Sequence, residues 1–190
     1  MDILLKTRLA TLSIAATLIV CWIASPQGRA PAPAAPAPKS ADPWAPCRFL
    51  LGEWVAIGGS GQPGEAVSGS TTFTLDLLDK VLVRRNRADY APKAGEKTGI
   101  SHQDLLIIYL PLEEKQVKAF YVDNEGHEIN YRVSFPKEGV AVFETDPALH
   151  GPRYRLEYLL NPDRTLTITF LVAPPGGDYK VYTKGDARKK

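Results

Sequence analysis

The residues whose types most directly imply chemistry are Arg84, Arg85 and Arg87, packed around Asn86 in one short run. The run sits in a segment, residues 81–88, whose alternation reads as a strand. With Val81 and Val83 facing inward, Arg85 and Arg87 share their phase, and the opposite phase places Arg84 inside. A guanidinium enclosed by a sheet needs an anionic partner, because burying the charge alone is prohibitive. A ligand carboxylate would serve, and so would Glu144; at a rim the run is only a solvated stripe. The apolar phase of the later strands adds Tyr121, Tyr131, Tyr154, Tyr158 and Tyr179 to the interior. Aromatic rings supply apolar area and their hydroxyls fix orientation, which suits a small hydrophobic or amphipathic molecule. Arg85, Tyr121, Tyr131, Tyr154 and Tyr158 are therefore the expected ligand-binding residues, and a filled core with hydroxyls at its rim is the alternative.

Other chemistry finds less support. There is no G-x-S-x-G elbow, and His102, His127 and His150 show neither H-x-H nor H-E-x-x-H spacing, so no catalytic residue, metal site or cofactor is assigned. Glu125 and Glu128 flank His127 in what reads as a solvated turn; a histidine–carboxylate pair inside the fold would reopen an enzymatic reading. The glycine-rich stretch 57–64 lacks the lysine and helix start of a phosphate loop. The net charge of +2 comes from Lys6, Arg8 and Arg29 against Asp2, all before the folded region, so no electrostatic footprint for nucleic acid is expected.

The elements that must hold these residues are short strands. Apolar/polar alternation is clearest in residues 70–77 and 127–135, and nearly continuous apolar sequence in 104–110 reads as a strand covered on both sides. Further strands are expected at 54–58, 81–88, 115–122, 140–144, 153–160, 165–172 and 179–186, with proline, glycine or asparagine at the breaks. The loop 89–103 is the longest and is the candidate entrance flap. About ten strands joined by tight turns predict an all-β antiparallel meander, and closure into an up-and-down barrel removes its edges. A sandwich would need a long crossover that the short turns do not provide.

Residues 1–34 read as an export signal or an uncleaved anchor: a basic start with Lys6 and Arg8, then the uncharged run 9–24. The domain is therefore expected outside the cytoplasm, periplasmic or extracellular, with membrane attachment only through that run. Residues 35–46 form a Pro/Ala-rich linker, and 47–190 the barrel. Cys21 would leave with the signal, so Cys47 is expected as a lone, buried thiol.

The phrase Phe49-Leu50-Leu51-Gly52-Glu53-Trp54, an apolar helical turn running into G-x-W, resembles the opening of lipocalins. The strand count is more similar to the ten-stranded nitrobindin and fatty-acid-binding barrels of the same calycin superfamily, and to exported bacterial lipocalin-like domains. The resemblance implies a calycin-like barrel with a short N-terminal helical turn. It also implies that Trp54, after Gly52, closes one end beneath an arginine of the last strand, for which Arg188 is the match. Nitrobindins hold haem through a late histidine; none follows His150 here, although a tyrosine could ligate the iron. The expectation is an exported small-molecule-binding barrel, with an interaction module, a small barrel enzyme or a haem binder as alternatives.

Overall fold

The computed structural model describes residues 42–58, 66–146 and 151–190. The expected signal or anchor, most of the linker, the glycine-rich stretch 59–65 and His150 lie outside the described residues.

Ten strands follow one 3-10 turn, Ala45–Leu50: β1 Gly52–Ile57, β2 Ala66–Asp76, β3 Val81–Tyr90, β4 Ile100–Tyr109, β5 Lys118–Asp123, β6 Glu128–Ser134, β7 Val140–Glu144, β8 Arg153–Leu160, β9 Leu166–Ala173 and β10 Lys180–Lys189. Every strand pairs antiparallel with its sequence neighbours, and β1 pairs with β10, so the sheet is a closed up-and-down barrel. Closure leaves no open edge to be managed. All ten expected strands are present. β3 and β4 run further than alternation alone indicated, and the expected flap over 89–103 shrinks to 91–99. Ladder pairs Ala88↔His102 and Tyr90↔Ile100 take up the difference.

Register fixes which side chains point inward, because directly opposed residues share a face. The chain of pairs Phe73↔Arg84↔Leu106↔Tyr121↔Ile129 sets the inner face of β2 to β6. Phe143↔Leu156↔Phe170 continues it through β7 to β9. One end of the barrel is filled. Leu50, Trp54, Phe73, Phe143, Tyr158 and Leu166 are fully or almost fully buried there. Phe73, Tyr158, Phe143 and Tyr131 meet edge-to-face in sequence at centroid distances of 5.4, 5.8 and 6.2 Å. Such pairs contribute about 0.5–1.5 kcal/mol each beyond area burial.

Trp54 shuts this end. Its indole N–H donates to the Leu50 carbonyl oxygen at 2.7 Å, which ties the strand to the 3-10 turn beneath it. The chain reaches Trp54 through Gly52 at φ +108°, a conformation that favours glycine. The cation over the indole is Lys189, at 5.5 Å from the ring centroid, and not the expected Arg188. The ladder explains the correction: Trp54 pairs with Lys189, while Arg188 pairs with Val55 on the outer face and is exposed. Cys47 is buried as expected, its thiol donating to the Trp44 carbonyl at 3.3 Å, and burial pushes its pKa up to about 11.

Candidate functional site at the open end of the barrel

Away from Trp54 the inner positions become progressively less filled. On the wall formed by β10, β1, β2 and β3 they include the small residues Gly185, Ala56, Gly69 and Ala88, with the half-buried Tyr90 in the same phase at the rim of β3. Gly185 and Ala56 are exposed to solvent although they point inward, and a methyl group added at Gly185 would meet no atom within 4 Å. Adjoining Gly185, on β8 and β9, Tyr154 stacks on Phe170 at 6.0 Å and 8° between ring planes, with Tyr182 of β10 edge-on to Phe170 at 6.0 Å.

The third wall is polar. Arg84, not Arg85, occupies the inner position of β3; it is 4% exposed, whereas Arg85 points outward and is exposed. Arg84 donates to a carboxylate oxygen of Asp104 on β4 and to the hydroxyl of Tyr158 on β8. Asn86 donates to the second Asp104 oxygen at 2.9 Å. Two residues up β4, His102 places Nε2 3.5 Å from Asp104 and 3.2 Å from the Tyr121 hydroxyl, and Nδ1 3.0 Å from Glu125. Tyr121 donates to Asp123 at 3.0 Å, and Asp123 meets His127 Nδ1 at 2.8 Å at the rim. The groups form one hydrogen-bonded ladder from the filled core to the mouth.

Charges along it are held firmly. Burial opposes the charge on Arg84, but Tyr158 and Asp104 raise its pKa. Burial keeps Tyr158 a neutral phenol even beside that guanidinium, so Asp104 carries the counter-charge. Burial would raise the Asp104 pKa; the charge on Arg84, with hydrogen bonds from His102, Arg84 and Asn86, holds it below the usual carboxylate range. The Asp104 hydrogen bond, helped by Glu125, raises His102 to about 9 against the desolvation that would lower it. His102 is therefore an imidazolium at neutral pH and donates from both nitrogens, which makes the Tyr121 oxygen an acceptor while its own proton goes to Asp123. Asp123 is held down at about 2: burial alone would raise it, and bonds from His127, Tyr121 and the Glu125 N–H outweigh that. Two buried polar atoms on the inner face, Thr71 Oγ1 and Arg84 Nε, have no hydrogen-bond partner.

Of the expected ligand-binding residues, Tyr121, Tyr131, Tyr154 and Tyr158 all face inward. Tyr131 and Tyr158 belong to the filled half, at 3% and 0% exposure, so only Tyr121 and Tyr154 border the open half. Tyr179 is outside, where Arg153 and Arg155 sit over its ring at 4.8 and 4.2 Å. Glu144 pairs with Arg155 at 2.9 Å on that outer surface and does not reach Arg84. The sequence analysis weighs His102 only as a metal ligand, in the loop 89–103, and does not single out Asp104; with β4 starting at Ile100, their i, i+2 spacing puts both on its inner face. Among the described residues no group of three His, Cys, Asp or Glu side chains is arranged to hold a metal ion.

Two hollows, of about 430 and 320 Å³, lie at the plugged end and not in the mouth, the first beside Pro46, Phe49 and Phe135 and the second beside Phe49, Trp54 and Lys189. No protein-family model and no curated protein matches the chain.

Proposed function

We propose that the open half of the barrel binds a small amphipathic molecule, as lipocalin-like carriers do. The observation that carries this reading is the unfilled space at inward-facing Gly185 and Ala56, with the Tyr154–Phe170 stack on the adjoining strands. Apolar surface of the molecule would cover Tyr154 and Phe170, and a hydrogen-bonding group would meet His102, Tyr121 or Asn86. A ligand carboxylate is no longer needed to neutralise the interior guanidinium, because Asp104 does so. The test uses 1-anilinonaphthalene-8-sulfonate as probe. Wild-type protein should enhance its fluorescence saturably, Ala56→Leu with Gly185→Leu should weaken binding more than tenfold, and Arg85→Ala should leave it unchanged. Equal binding by wild type and the space-filling variant removes the reading.

His102 beside Asp104 and Glu125 supports one second reading, acid catalysis on a molecule held in the same space. Its signature is a rate that falls as pH rises through about 9, with that limb lost in His102→Gln. A turnover with no such limb, or one unaffected by His102→Gln, excludes it.

A further inference from the structure

At the plugged end, Leu77 and Leu78 form the tip of the β2–β3 hairpin, 66% and 94% exposed, and Leu112 in the β4–β5 connection is 100% exposed. The two tips are neighbours, because Val81 pairs with Asp76 on one side and Tyr109 on the other. Leu77, Leu78 and Asp79 all have left-handed backbone, with φ of 49°, 55° and 60°. Such turns favour asparagine and glycine, so local folding gives no reason for two leucines here. The chain also enters the barrel at this end: Trp44 Nε1 donates to the Asp79 carbonyl at 2.7 Å, joining the first described segment to the leucine turn. Before Asp42 the sequence carries the uncharged apolar run 9–24 behind Lys6 and Arg8.

We propose that Leu77, Leu78 and Leu112 dock into the surface of a lipid bilayer, so that the barrel stands on its plugged end with its mouth turned away. The location of these leucines at the chain's point of entry selects a bilayer over other occupants: this end of the barrel is the one joined directly, through the chain before Asp42, to the uncharged apolar run 9–24. The contact is apolar in kind. Asp76, Asp79, Glu113 and Glu114 outnumber Lys80 and Lys115 on the two tips, so attraction to anionic headgroups is not what holds it. Docking should therefore occur on zwitterionic lipid and survive high salt. The proposal is independent of what the mouth binds.

The experiment uses residues 1–190 with Cys21→Ser, reconstituted with dioleoylphosphatidylcholine vesicles. An environment-sensitive nitrobenzoxadiazole probe is attached in turn at Leu78→Cys, Leu112→Cys and, at the opposite end, Tyr182→Cys. The expected result is blue-shifted emission and several-fold quenching by spin-labelled lipid at positions 78 and 112, not at 182, unchanged in 1 M salt. Water-like emission at 78 and 112 with vesicles present would overturn the proposal. So would a blue shift that appears without vesicles, since that assigns the tips to a second copy of the chain. Anilinonaphthalene binding in the mouth, measured on unlabelled protein without vesicles, reports the carrier reading separately.

Discussion

Arg84 and Asp104 form an ion pair inside the barrel, with side chains only 5% and 3% exposed, at the level where the filled half gives way to the open half. The pair marks the floor of the proposed site. Losing one partner strands a charge, whereas losing both removes the need for either.

Asp104→Asn should therefore destabilise the barrel by about 3–5 kcal/mol in urea unfolding, because Arg84 keeps its charge without a counter-ion. Arg84→Met combined with Asp104→Leu should recover most of that loss. A double variant as unstable as Asp104→Asn would show that packing, not the stranded charge, accounts for the effect.

Stability should fall in alkali through His102. Its folded pKa of about 9 lies above the unfolded value of 6.5, so its contribution is complete below about pH 6.5 and is lost as pH rises through 9. Asp104, Glu125 and Tyr121 face the ring. Urea midpoints between pH 6 and 10 should decline more steeply for wild type than for His102→Gln, and an NMR titration of the ring should place its midpoint near 9. Parallel declines, or a midpoint near 6.5, contradict the ladder's charge assignment.

How far the sequence carried can be judged at β3. Alternation located the strand and its charged run, but Val81, Leu82 and Val83 are apolar on both faces, so the phase was silent where it mattered and the inner position fell to Arg85 instead of Arg84. Closure around Trp54 was legible from Gly52 and the tryptophan, yet the covering cation depends on the β1–β10 register, a pairing across 135 residues from Trp54 to Lys189 that no local pattern encodes. The tyrosines were placed inside by phase, correctly for four of five. Whether they faced space or neighbours depends on the size of residues on distant strands, such as Gly185 opposite Ile168.

The Trp54 plug distinguishes two adjacent cations. Lys189→Ala should cost about 0.5–1 kcal/mol by removing the contact over the indole. Arg188→Ala should stay within about 0.5 kcal/mol, as exposed substitutions usually do. Circular dichroism melts of the two variants compare them directly, and the reverse order would reinstate Arg188 as the cover.

Cys47 should be inert in the folded protein. Its thiol is buried with a pKa near 11, so little thiolate is present at neutral pH. In a Cys21→Ser background, a disulfide reagent such as 5,5′-dithiobis-(2-nitrobenzoate) should label nothing at pH 7.5 and one thiol in denaturant. Rapid labelling of the native protein contradicts the plugged end as described.

Native mass spectrometry of the chain purified from its own host tests the carrier function most directly. The wild-type protein should carry a discrete mass increment, released on denaturation and missing from the variant carrying Ala56→Leu and Gly185→Leu. A bare mass for the wild type, or the same increment on both proteins, contradicts the carrier function.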